Sequence, residues 1–311
     1  MKMFFRERFD AVALLLGMIF LVFVRSSNAD AQDMEARAYS AVPIDTNFLI
    51  GGYERTTGSV SLDPSLPIQG IQASINTGLI AYDRTFDLFG QAASAAILIP
   101  YFQAQVSGKV FDAPNQVTRK GLGDIRVRFT ENLIGNPAQT PAEFAQREPS
   151  TTLGVSLTVD APTGDYNPQH LINISSHRWA VKPEIGGSQP IGNWFIDGAA
   201  GVWLFTVNPD FFGGHTRGED PIWSFQTHVG YNFRPGLWLS ADATHYLGGD
   251  SIIDGINSHD FQAATRVGAT LSIPIGEGFS AKVAWASWLA ARRSGDYNTI
   301  GFQLQYRWFD P

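Results

Sequence analysis

The chain has 311 residues, with 29 acidic side chains against 22 basic ones, a net charge of −7 and no cysteine. An acidic balance without a basic patch argues against nucleic acid as a partner, and the lack of cysteine rules out disulfide staples and a lipidated N-terminal Cys. Only 16 % of residues are charged, against about 25 % in ordinary domains, while 31 Gly, 22 Phe and 8 Trp suit strands, tight turns and aromatic interface belts.

At the N-terminus Lys2, Arg6 and Arg8 precede an apolar run over residues 11 to 24 and the small-residue step Ala29-Asp30-Ala31. That order predicts a secretory signal peptide over residues 1 to 31, since the run is shorter than the about 20 residues of a membrane span. Residues 32 to 311 contain no apolar stretch long enough for a transmembrane helix, so a membrane role requires a β-barrel. No linker or low-complexity tract divides this part, which reads as one domain.

From there the chain alternates apolar and polar residues, the period of a strand with two different faces. Ile125, Val127 and Phe129 alternate with Arg126 and Arg128, and Leu153, Val155, Leu157 and Val159 with Ser156, Thr158 and Asp160. Twelve strands are predicted: residues 46 to 54, 71 to 83, 91 to 103, 121 to 133, 151 to 162, 178 to 189, 194 to 206, 222 to 233, 237 to 248, 260 to 273, 279 to 290 and 297 to 308. Short turns such as Arg234-Pro235-Gly236 alternate with longer polar loops at 55 to 70, 104 to 120, 163 to 177, 207 to 221 and 249 to 259. Short turns on the periplasmic side and long loops outside are the habit of outer-membrane barrels. Residues 134 to 150 form a long link on the short-turn side and read as a helical plug or a periplasmic flap. Aromatics gather near strand ends, Trp194, Tyr231, Phe279 and Trp308 at one end and Trp203, Trp223, Tyr246 and Trp288 at the other, as two interface belts require. The fold class expected is therefore all-β, a transmembrane antiparallel barrel of about 12 strands; the rival is a soluble β-sandwich.

Several stretches carry a resemblance: Ala38-Tyr39-Ser40, Gly51-Gly52-Tyr53, Phe86 to Gly90, Gly121-Leu122-Gly123-Asp124, Lys182-Pro183-Glu184-Ile185-Gly186 and Tyr231 to Trp238. Together they resemble the outer-membrane family associated with the meta-cleavage pathway of phenol degradation, whose members are described as transporters. The resemblance implies a barrel that imports a small hydrophobic or aromatic compound, with outer-membrane lipids and the solute as partners.

In a barrel the polar strand faces line the lumen. The candidate lumen or constriction residues are Arg126, Arg128, Arg178, Lys182, Glu184, Asp160, Asp197, Asp242 and Arg266, with Asp124, Lys282 and Arg307 as further charges. They read either as a selective charged constriction or as salt bridges that fill a narrow lumen. Asp210, Phe211, Phe212 and His215 mark the 207 to 221 loop as a substrate latch, a divalent-ion site or a solvated tip. Six histidines are present, and His228, His245, Asp242 and Ser240 offer the parts of a hydrolase, but Gly-x-Ser-x-Gly and His-Glu-x-x-His are absent. No enzyme activity, metal or cofactor is therefore expected. The last strand ends in Tyr306, Trp308 and Phe309, which resembles the signal read by the barrel-assembly machinery; Asp310 and Pro311 follow it.

Overall fold

The computed structural model describes residues 34 to 59, 68 to 110, 113 to 290 and 296 to 310; the signal peptide expected over residues 1 to 31 lies outside them. In chain order the strands are β1 (Thr46–Ser59), β2 (Ile68–Leu88), β3 (Gln91–Val110), β4 (Ala113–Leu122), β5 (Ile125–Ile134), β6 (Thr152–Ala161), β7 (Ala180–Ile191), β8 (Trp194–Phe205), β9 (Asn208–Phe211) and β10 (His215–Glu219). They continue as β11 (Ile222–Arg234), β12 (Leu237–Gly248), β13 (Ser251–Ile253), β14 (Ile256–Asn257), β15 (Gln262–Gly276), β16 (Phe279–Ala290) and β17 (Tyr297–Phe309). A single helical turn, α1 (Pro141–Phe144), starts at a Thr140 capping box.

The sheet closes on itself. Strand β1 pairs antiparallel with β17 from Thr46↔Phe309 to Gly58↔Tyr297, and with β2 on its other side. Around the ring run β1, β2, β3, β5, β6, β7, β8, β11, β12, β15, β16 and β17, twelve strands with every neighbour antiparallel. Closure removes the unpaired edges that water would otherwise have to satisfy, and no water is available in a bilayer core. Leu49, Tyr53, Ile97, Phe129, Leu157, Phe225, Leu239, Trp285, Ile300, Phe302 and Leu304 all point outward and are exposed on the isolated chain, which makes the outer wall an apolar belt for lipid. On β17 the intervening Gly301 and Gln303 turn inward, as the alternation predicts.

Three expectations change. The strand predicted over 121 to 133 is broken: β3 pairs with β5 only over Ala93 to Leu98 and with β4 from Tyr101 outward. At the break, Gly123 N–H donates to Pro100 O at 2.9 Å, and a Cβ on Gly123 would meet the Phe102 ring at 2.4 Å. Second, the loop predicted over 104 to 120 is mostly an extension of β3 paired with β4. The outward residues Gln103, Gln105 and Ser107 are polar because β3 continues past the belt into water. Third, residues 135 to 150 carry α1 at the short-turn end, joined to the β2–β3 turn through Ala92 N–H to Asn136 O and Ala138 N–H to Gly90 O. The segment that enters the lumen is a different one, the described residues ahead of β1.

Candidate functional site

Residues 34 to 45 fold into the barrel before the chain turns back into β1. Arg37 adopts a left-handed backbone, φ 70°, rare for a residue with a Cβ, and turns the segment inside the lumen. Its N–H donates to Asp197 Oδ2 on β8 at 2.7 Å and its Nη1 to Asn232 Oδ1 on β11 at 2.9 Å. The guanidinium lies 5.0 Å from the Phe195 ring and 5.8 Å from Trp238. Two residues on, the Tyr39 hydroxyl donates to Glu184 Oε1 at 2.9 Å and lies 2.8 Å from Ser156 Oγ. The Tyr39 ring covers Gly186 and Gly154, where a Cβ would meet it at 2.3 Å and 3.1 Å. Glycine on the inner face of β6 and β7 is thus what lets an aromatic ring lie flat on the wall.

Around Tyr39 a charged layer assembles. Glu184, its side chain 1 % exposed, also accepts from Lys182 Nζ at 2.8 Å, Gln226 Nε2 at 3.1 Å and Arg128 Nη2 at 3.3 Å. Arg128 in turn pairs with Glu35 of the plug. A buried carboxylate with four donors is fully satisfied, which is the condition for its burial. On the far wall Asp242 accepts from Ser240 Oγ at 2.8 Å and Thr270 Oγ1 at 2.7 Å, with His228 Nδ1 at 2.8 Å. The space left between plug and wall, bordered by Tyr39, Arg128, Glu184 and His228, is about 20 Å³, room for about one water.

Toward the long loops, an aromatic layer follows. Trp203, Tyr246 and Trp288 are buried with Ile222 and Ala264, and Phe205 and Tyr297 pack against them. Arg126 makes a bidentate pair with Asp160 at 2.7 and 2.8 Å and lies 5.2 Å from the Trp203 ring, and Lys182 lies 5.3 Å from the same ring. Arg266 donates to Thr299 Oγ1 at 2.9 Å.

The predicted lumen residues Arg126, Arg128, Asp160, Lys182, Glu184, Asp197, Asp242 and Arg266 therefore all lie on inner faces. Arg178 is displaced from them: it pairs with Glu219 beneath the loops and lies 4.3 Å from the Phe205 ring. Asp124, expected to line the lumen, instead clips a loop at the strand break, accepting from Gly164 N–H at 3.0 Å, Ser175 Oγ at 2.6 Å and Ser176 N–H at 3.0 Å. The latch residues sit in a four-stranded outer sheet of order β14-β13-β10-β9. Asp210 O accepts from the Tyr166 hydroxyl at 2.8 Å, and His215 Nδ1 lies 2.5 Å from Asp254 Oδ2, while Phe211 and Phe212 lie at the hairpin end. Among the described residues no group of three His, Asp or Glu is placed to hold a metal ion. The hydrolase set does not assemble: Ser240 and His228 both bond to the same Asp242 oxygen, and His245 occupies the opposite face of β12, beside Thr265. The plug escaped sequence reasoning; its one trace is Ala38-Tyr39-Ser40, noted above without a role.

A closed antiparallel barrel with an apolar outer belt and a polar, plugged interior is an integral protein of the bacterial outer membrane. Residues 53 to 307 match the family model described as "Putative MetA-pathway of phenol degradation", and the chain belongs to that family. Among solved structures, it is similar to an outer membrane channel from Pseudomonas putida F1, with 20 % identity over 90 % of this chain and 100 % of that one and a TM-score of 0.75. The TodX monoaromatic hydrocarbon channel also matches, at 9 % identity over 87 % of this chain and 91 % of that one, with a TM-score of 0.45. No curated protein matches the chain. At these identities the first likeness shows the barrel fold.

Proposed function

We propose that the protein is an outer-membrane channel for a small, hydrophobic or aromatic compound. The observation that carries this reading is the plug: residues 34 to 42 fill the lumen through side-chain bonds and packing, without backbone pairing to the strand ladder, so the barrel can open without unfolding. The family's link to phenol degradation and the channel from Pseudomonas putida support it. The buried layer of Trp203, Tyr246 and Trp288 and, below it, Arg126, Arg128, Lys182 and Glu184 narrow the lumen from one side to a constriction. Asp210, Phe211, Phe212 and His215 belong to the outer entrance. The chain carries out no reaction, since the His228–Asp242 pair holds Ser240 as a donor to the carboxylate and not as a nucleophile facing its base. Tyr306, Trp308 and Phe309 serve recognition by the barrel-assembly machinery.

One observation favours a second reading, a structural barrel: the space between the plug and the Glu184 wall has room for only about one water. Uptake of radiolabelled phenol and toluene by a deletion strain, with and without the gene restored, separates the two. The channel reading expects faster uptake with the protein; equal uptake for every compound leaves the structural one.

A further inference from the structure

The lumen is unevenly filled. On β7, β8 and β11 the inward residues Lys182, Glu184, Asp197 and His228 are at most 5 % exposed, although all four are polar or charged. Across the barrel, on β1, β2 and β3, the inward residues Ile50, Leu79, Ala81, Ala96 and Leu98 are only half-buried. This inverts the usual order, in which apolar side chains are covered and charges are left to water. The plug explains it. Its bonds to the side chains of Arg128, Asp197, Asn232, Glu184, Ser156 and Ser188 all reach β5 to β11, while toward β2 Thr85 Oγ1 donates to Pro43 O at the base and Glu35 comes within electrostatic reach of Asp83.

The uncovered strip is continuous. Register places Ile50 opposite Ala81, Ala81 opposite Leu98, and Leu79 opposite Pro100. No Asp, Glu, Lys or Arg occupies an inward position on β3 from Ala92 to Gly108, and on the neighbouring strands the inward carboxylates Glu54 of β1 and Asp83 of β2 bound the strip at its two ends. We infer that this strip is the solute path: a dry corridor along the inner face of β1 to β3, beside the docked plug, that takes a small uncharged apolar molecule. The inference rests on the channel reading above and names its route and solute class. Between Glu54 and Asp83 the wall offers ions and water nothing to replace their hydration, so this stretch admits apolar solutes and resists ions. The charges on the opposite wall are occupied with one another and with the plug.

Because the chain has no cysteine, a single introduced thiol reports the corridor. Ala81→Cys and Ala96→Cys are compared with Ala264→Cys, whose position is fully buried under the aromatic layer, in the full chain reconstituted in vesicles; heat-modifiable migration shows that each has folded. The corridor expects neutral N-phenylmaleimide to label Ala81→Cys and Ala96→Cys at least about tenfold faster than either a sulfonated or a quaternary-ammonium maleimide of similar size, the cationic probe ruling out repulsion by Asp83, with toluene slowing the reaction and Ala264→Cys inert to all three. Labelling by the cationic probe as fast as by the neutral one means a water-filled pore, and no labelling by any probe means a packed wall; each overturns the inference. The labelling reads the path without uptake, so a deletion strain with unchanged uptake would refute the channel while the thiol pattern still reported the wall.

Discussion

Tyr39 and Glu184 couple the plug to the wall, and both sides of that contact can be cut singly. Tyr39→Phe keeps the ring over Gly186 and removes one donor to Glu184, which retains Arg128, Lys182 and Gln226. A hydrogen bond to a charged partner contributes about 1.5 to 3 kcal/mol, so plug docking weakens by roughly ten- to a hundredfold. The expected outcome is more frequent openings in planar-bilayer recordings at unchanged heat-modifiability; traces identical to those of the unaltered protein would show that Tyr39 does not hold the plug. Gly186→Ala attacks the same contact from the wall, because its methyl meets the Tyr39 ring at 2.3 Å. It should raise conductance at least as much as Tyr39→Phe, and the double variant Gly186→Ala with Tyr39→Ala, which makes room for the methyl, should be no more open than Tyr39→Ala alone.

At the level of elements, the strand break and the outer sheet each depend on one carboxylate. Asp124 ties the loop after β6 to the gap between β4 and β5; Asp124→Ala leaves the Gly164 and Ser176 amides without that acceptor. Hydrogen exchange at those two amides should accelerate while the β5–β6 ladder stays protected. In the outer sheet, the Thr216 N–H and the His215 ring hold the Asp254 carboxyl below its ordinary range. A carboxylate lowered on folding stabilises the folded form fully above its unfolded pKa and loses that contribution as pH falls through the folded value. The β10–β13 pairing should therefore be intact near neutral pH and loosen only in acid, below the ordinary Asp range of about 3.9, as read by the Thr216 amide's exchange rate. Asp254→Asn should loosen it at every pH.

For the whole molecule, closure through β1 and β17 makes the barrel a single cooperative unit. Unheated protein should run faster on a detergent gel than boiled protein; a single band before and after boiling would speak against a closed barrel. Removing residues 34 to 42 should leave that behaviour intact, since no strand is lost, while increasing ion conductance through the emptied polar half.

Alternation with period two and turns such as Arg234-Pro235-Gly236 located the twelve barrel strands from the chain alone, except that the one expected over 121 to 133 ran across the break at Gly123; alternation works because each strand must show one face to lipid and one to the lumen. It also marked which charges turn inward, Arg128 and Glu184 among them. It was silent where both faces have the same character. Ala95-Ala96-Ile97-Leu98-Ile99-Pro100 reads as one apolar run, and only closure of the sheet decides that Ala96, Leu98 and Pro100 look into the barrel. Nor could it find the plug, which has no period and whose contacts join Arg37 to Asp197 and Tyr39 to Glu184 across 160 and 145 residues. Local pattern determines a strand because its faces repeat every two residues; what fills a lumen is decided by side chains that meet only after the ring has closed.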